Sequence, residues 1–244
     1  MPKNLITASF IALASTLPLA AQQDDARIKE LALEAILENP EIIAEAIQIL
    51  QEREQEEQRL AAVEVFEANK VVFLSGDNAP VIGNPDGDVT IVEFFDYNCS
   101  YCRRAFEAVR DVIEEDGNIR VVMREFPILG PGSDYAAKAS LAAMKQGKYS
   151  EFHWALMDSK IAAYSIKEEG VLKVAEEVGL DLDQMKVDME APEVAEHITL
   201  TREYASALQF TGTPAFIIGD QLVPGFVDAE VIETIIAEAR AEQG

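Results

Sequence analysis

The sequence predicts an α/β fold: a small sheet built on a strand–helix–strand unit, an all-helical insert at about residues 133–208, and a helical extension ahead of the sheet. Three observations point there. The run Thr90-Ile91-Val92-Glu93-Phe94-Phe95 is β-branched and aromatic, as a buried strand requires. From Ser100 onward, Cys102, Phe106, Val109 and Ile113 recur at helical intervals. Ile119 to Phe126 then reads as a second strand after the turn Asp116-Gly117-Asn118, and a crossover of that length implies parallel, right-handed pairing.

The chain begins with a segment that reads as a secretory signal, residues 1–21. Lys3 supplies a thin positive start, Leu5 to Leu19 is nearly all apolar or small, and Ala20-Ala21 precedes the polar Gln22-Gln23-Asp24-Asp25. Leu19 makes a cut after Ala21 imperfect, but the segment is short for a membrane span, so cleavage is expected over anchorage. Export, with the periplasm as destination, would put the cysteines where disulfides persist.

Residues 22–74 are expected to be helical. Ile28, Leu31, Ala35 and Ile36 share one stripe up to Glu38, and Asn39-Pro40 restarts the pattern as cap and first helical residue. Ile43, Ala46, Ile47 and Leu50 follow; then comes the polar run Gln51–Arg59, and Leu60, Val63 and Phe66 resume the stripe. An apolar stripe on so thin a segment needs a partner surface. Self-association into a homo-oligomer is the expectation, and folding back onto the chain's own globular domain is the alternative.

The breaker-rich Ser75-Gly76-Asp77-Asn78-Ala79-Pro80 marks the expected edge of a domain at 75–244, and Gly83 to Asp88 is a turn into the strand at Val89. After Gly130-Pro131-Gly132, helical signals fill Tyr135–Met144, Tyr149–Met157, Ile166–Val178, Leu182–Met189 and Pro192 to about Leu208. Phe210 to Ile218 returns to the sheet, Gly219-Asp220 reads as a hairpin turn before Gln221-Leu222-Val223, and Asp228 caps a last helix from Ala229 to about Ala241.

Of 244 residues, 49% are hydrophobic, enough for one sizeable core and an accessory element. The net charge of −24 argues against nucleic acid or an anionic membrane as partner.

Cys99 and Cys102, the two cysteines, fall where the first strand hands over to its helix. A thiol in a first helical turn meets unpaired N–H groups and the positive end of the macrodipole, so its pKa should fall below about 8.5. The spacing of three puts the second sulfur one turn up on the same face. This suits a pair that opens and closes. An inert disulfide would add only about 2 kcal/mol from so small a ring. A zinc site lacks ligands, since His153 and His197 are remote in sequence and read as surface or packing residues. No metal or other cofactor is called for.

Glu93-Phe94-Phe95-Asp96-Tyr97 before Cys99-Ser100-Tyr101-Cys102, the helical insert, and Thr211-Gly212-Thr213-Pro214 before a hairpin together resemble the DsbA family of thioredoxin-fold thiol:disulfide oxidoreductases. The resemblance covers about residues 75–243, and the long helical extension is similar to the suppressor-of-copper-sensitivity C type. It implies a thioredoxin-like fold, with Cys99 as nucleophile, Cys102 as resolving thiol and a redox-active disulfide between them. Pro214 would be a cis-proline facing the site, leaving the backbone of Thr213 open to a substrate strand. Glu93 falls at the family's buried acid and would accept the proton of Cys102; the alternatives are an acid on a solvated face or one paired with Arg124. Implied partners are unfolded or misfolded exported proteins and a membrane redox partner of the DsbB or DsbD kind.

The chain departs from DsbA in two places: Ser100-Tyr101 stands where DsbA has Pro-His, and Thr213 precedes the proline instead of valine. Both departures point to a potential below the roughly −120 mV of DsbA, nearer about −180 mV. The net direction, oxidase or isomerase and reductase, stays open. The rival readings are a periplasmic chaperone and a Cu(I)-binding protein, with the cysteines not catalytic.

Overall fold

The computed structural model describes residues 18–243 and divides the chain into two compact units, with the division between Glu57 and Gln58. The first unit holds α1 (Pro18–Glu38) and the start of α2 (Glu41–Leu74). The break falls at Asn39-Pro40, where the sequence places it. The Asn39 side chain does not cap α2: its Nδ2 donates back to the Ala35 carbonyl at 3.1 Å and closes α1 instead. Leu31, Leu37, Ile43, Ile47 and Leu50 are all exposed in this unit. Of the expected signal segment, residues 1–17 lie outside the described residues, and α1 runs from Pro18 through the expected cleavage point.

The second unit contains the rest of α2 and a five-stranded sheet. Its strands are β1 (Val81–Gly83), β2 (Val89–Phe95), β3 (Ile119–Glu125), β4 (Ala215–Ile218) and β5 (Gln221–Pro224), in the order β1-β3-β2-β4-β5. β2 and β3 pair in parallel, Val89 opposite Ile119 through Phe95 opposite Glu125, and the remaining pairs are antiparallel. β2 and β3 are joined by α3 (Ser100–Asp116), which ends at Gly117 with φ 68°, a left-handed C-cap that suits glycine. The insert comprises α4 (Pro131–Lys145), α5 (Tyr149–Met157), α6 (Glu168–Glu177), α7 (Leu182–Asp188) and α8 (Pro192–Ala207), and α9 (Ala229–Gln243) closes the fold. Asp228 caps α9, accepting from the Val231 amide at 3.1 Å.

Strand alternation sends the sheet's side chains into two cores. Ile91, Phe95, Val121, Met123, Phe216 and Ile218 join α3, α9 and the insert on one face. Val92, Phe94, Val122 and Ile217 join Phe66 and Phe73 of α2, and Ala205 and Leu208 at the end of α8, on the other. Phe66 and Phe73 are buried, so this unit starts at Gln58, upstream of the edge expected at Ser75–Pro80. In the insert Phe152 is fully buried, while Trp154 is only half-buried and lies against Phe106.

Candidate active site

β2 carries the chain into Asp96-Tyr97-Asn98, and Cys99 occupies the N-cap of α3 in extended conformation, φ −78° and ψ 120°. That position leaves the first amides of α3 unpaired and aimed at the sulfur. Both cysteines are free thiols; Cys99 is 4% exposed and Cys102 fully buried. The Cys99 pKa falls to about 6, chiefly through a hydrogen bond from the Cys102 thiol. The Thr213 side chain and the amides of Cys102 and Tyr101 help, against the opposing effect of burial. Cys102 moves the other way, well above its ordinary value, because it is buried and faces Cys99. Its sulfur accepts from the Asp96 amide at 3.5 Å. One thiol is thus poised to ionise near neutral pH while the other keeps its proton.

The loop before β4 reaches the same sulfur. The Thr213–Pro214 peptide bond is cis, and the Cys99 thiol donates to the Thr213 carbonyl at 3.2 Å. Thr213 is 114 residues downstream of Cys99 and is brought to it by β4 lying beside β2. On the solvent side, Tyr101 is exposed and Arg104 lies over the ring of Phe226 at 4.3 Å.

Glu93 points from β2 into the core that also holds Cys102, and only 2% of it is exposed. Burial raises its pKa to about 8, so it holds its proton at neutral pH. The alternatives weighed from sequence fail on geometry. Glu93 is not solvated, and it is opposite Met123, whereas Arg124 is opposite Phe94 and faces the other core. Arg124 is fully buried; none of its three nitrogens hydrogen-bonds to protein, and its guanidinium lies 5.0 Å from the Tyr204 ring centre.

The two histidines are buried, and neither is a surface residue. His153 Nδ1 is 2.9 Å from the Tyr97 hydroxyl, which also meets Ser140 Oγ at 2.7 Å. His197 Nε2 accepts from the Glu125 amide at 3.2 Å, so its Nδ1 carries the hydrogen that it gives to the Asn78 carbonyl at 2.5 Å. Glu125 is a second buried acid on the Glu93 face, pushed well above the usual carboxylate range by burial and taking a hydrogen bond from Tyr149 at 2.9 Å. Glu125 gave no signal in sequence, since it ends a strand at an ordinary edge position. Asp96, Tyr97 and Asn98 did, as three polar residues between an apolar strand and the first cysteine.

Residues 90–237 match the DSBA-like thioredoxin domain. The chain belongs to this family. Residues 24–57 match the N-terminal domain of the copper resistance protein ScsC. Among solved structures, the chain is 53% identical to a thioredoxin-like oxidoreductase from Silicibacter pomeroyi, with a TM-score of 0.68 and coverage of 71% of this chain and 98% of that one. It is 29% identical to the thiol-disulfide exchange protein alpha-DsbA2 from Wolbachia pipientis, with a TM-score of 0.66 and coverage of 72% and 95%. A Proteus mirabilis ScsC variant shares the fold over 94% of this chain and 99% of its own, at 23% identity and a TM-score of 0.68. A curated relative, the Na(+)/H(+) antiporter NhaA 3 of Salinispora tropica, is 29% identical over 70% of this chain. The chain spans about a quarter of that protein's length, 26%.

Proposed function

We propose that this protein is an exported thiol:disulfide oxidoreductase acting on protein substrates in the periplasm, with Cys99 as nucleophile and Cys102 as resolving thiol. The observation that carries the reading is the opposed pair of sulfurs, one ionising near pH 6 at a helix N-terminus and the other buried and protonated. The Cys99 thiolate attacks one sulfur of a substrate disulfide and expels the other as a thiolate, giving a mixed disulfide. Cys102 then attacks Cys99, closing the Cys99–Cys102 disulfide and releasing the reduced substrate, and its proton must leave as it does so. Run backwards, the same steps oxidise a substrate dithiol. Glu93 serves this proton transfer from the same core: it takes the proton when ionised and returns it to Cys102 when protonated. Thr213 and Pro214 border Cys99 and hold the substrate strand.

Isomerase or reductase work on misfolded substrates is the favoured direction. Its support is the exposed apolar stripe of α1 and α2, which suits a homo-oligomer presenting several sites to one substrate. The oxidase direction has one observation in its favour: a thiol ionising near pH 6 stabilises the reduced form, which makes the disulfide a stronger oxidant. A scrambled-ribonuclease assay decides, run on the chain from residue 22 and on one lacking residues 22–65, with sedimentation of each. Isomerisation that falls with particle mass supports the first direction. Isomerase activity unchanged on deletion, or no change in mass, ends it.

A further inference from the structure

We propose that Asp96, Tyr97 and Asn98 are positioning residues through which the helical insert fixes the place of the Cys99 sulfur and so sets its reactivity. The inference rests on Cys99 being the reacting thiol, as read above.

No side chain caps α3, because a cysteine stands in the cap position. The three residues before it shape the turn into the helix instead. Asp96 Oδ1 accepts from the Asn98 amide at 2.8 Å, and the Asp96 carbonyl accepts from the Cys99 amide at 3.0 Å, so the turn into the helix is wound on one aspartate, through its carboxylate and its backbone. Its other oxygen accepts from the amides of Ile128 and Leu129, at 2.8 and 3.0 Å, in the segment leading to α4. The Tyr97 hydroxyl reaches Ser140 on α4 and His153 on α5. Asn98 uses its whole amide: Nδ2 donates to Ser133 Oγ at 3.1 Å and Oδ1 accepts from the Ile166 amide at 3.0 Å. Its carbonyl takes the Tyr164 amide at 3.1 Å. Arg103 adds a strap, donating to the Tyr97 carbonyl at 3.3 Å and to the Ser159 carbonyl at 2.9 Å.

All three side chains are buried, and each ends on the insert or on the segment leading into it. The close approach is built in: a Cβ on Gly132 would come within 2.0 Å of the Ile166 carbonyl and 3.3 Å of Asn98 Nδ2. The sulfur's own bonds, from the amides of α3 and from Thr213, depend on where this turn sets the start of the helix. Hydrogen bonds weaken steeply with distance and angle, so a shift of a few tenths of an ångström in the turn is felt at the thiolate.

The test uses the full chain in three variants, Asn98→Ala, Ser133→Ala and Tyr97→Phe. Arg240→Ala, on α9 and paired with Asp116 at the far end of α3, serves as a control for plain loss of stability. Three quantities are read: the rate of Cys99 alkylation by iodoacetamide at pH 6.5, the equilibrium constant against glutathione, and Tm. Expected is about threefold slower alkylation in Asn98→Ala, the change in thiolate fraction at pH 6.5 when a thiol ionising near 6 is raised by about one pKa unit, with an equilibrium shifted toward the disulfide. Ser133→Ala, which removes one bond and leaves Asn98 in place, should show the same changes at smaller size. Arg240→Ala should lower Tm and leave both thiol readouts alone. Variants that lose Tm but keep wild-type alkylation and equilibrium would overturn the proposal, leaving a purely structural role. If Asn98→Ala does not fold, Ser133→Ala and Tyr97→Phe decide by the same criterion. A wild-type protein that alkylates fast but exchanges no disulfides would refute the functional reading above, while the alkylation rates still decide the positioning.

Discussion

Both faces of the sheet bury groups able to carry charge, and Glu93 on one and Arg124 on the other are treated differently. On the face that holds the thiols, Glu93 escapes the cost of burial by keeping its proton up to about pH 8. On the opposite face, Arg124 cannot shed its charge at any ordinary pH, and it rests on the ring of Tyr204 without a hydrogen bond to protein. The first face gains a group that can give and take a proton in the core that also holds Cys102. The second gains a fixed charge beneath α8 and no chemistry. Reactivity therefore concentrates on one face, and the other seats α2 and α8 against the sheet.

The sharpest way to break that contrast is to exchange the faces' roles by mutation. Cys99→Ser should abolish disulfide exchange altogether, whereas Arg124→Met should leave the exchange rate within twofold, by roughly the tolerance of a site outside the chemistry; a large rate loss in Arg124→Met would show that the second face is not inert. Next in size is Phe66→Ala, which empties a fully buried site between α2 and the sheet. It should cost about 3–5 kcal/mol in urea unfolding and leave the Cys99 titration near pH 6.

Glu93→Gln is expected to stabilise the protein by about 3 kcal/mol at pH 7, given a folded pKa near 8 against 4.5 unfolded. The sign follows from protons bound: between those values the unfolded chain gives up the proton that the folded one keeps, so wild-type stability falls as pH rises through that window. The gain should vanish below the lower value, and a gain independent of pH would locate its origin elsewhere. The same variant should slow exchange above neutral pH, where wild-type Glu93 begins to ionise, and an unaltered pH–rate profile would remove it from the proton path. Arg124→Met should be neutral or stabilising by about 1 kcal/mol or more, as for other buried charges replaced by apolar groups. The smallest effect belongs to Arg240, whose guanidinium clamps Asp88 and Asp116 at 2.7–2.9 Å on the surface. Arg240→Ala should cost about 1 kcal/mol or less in the same assay, and the loss should shrink in high salt.

Much of this was legible in the sequence, and the reasons differ by element. The insert's five helices were readable because Gly, Pro or Asp breakers punctuate regular apolar spacing from Tyr135 to Leu208. β1 was not, since Val81–Gly83 is too short to show alternation. The cysteine pair was found by its place between strand and helix. The face that Glu93 occupies was not, because it depends on the register that sets Phe94 opposite Arg124, which no local pattern encodes. For the same reason His153 and His197 read as unremarkable residues: their partners Tyr97 and Asn78 lie 56 and 119 residues away.

His197 carries one more consequence. A single imidazole fastens three separate stretches, taking the Glu125 amide on one nitrogen and giving its hydrogen to Asn78 from the other. Burial lowers its pKa to about 4 from 6.5, so acid weakens the fold across that interval, as the unfolded chain takes up a proton that the native ring refuses. A second proton on the ring would set donor against donor at Glu125. Acidification should therefore unlatch the Asn78 loop from the back of the sheet while the sulfur pair on the front is still in place; amide exchange at Glu125 rising before that at Cys102 would record this order, and the reverse order would dismiss it.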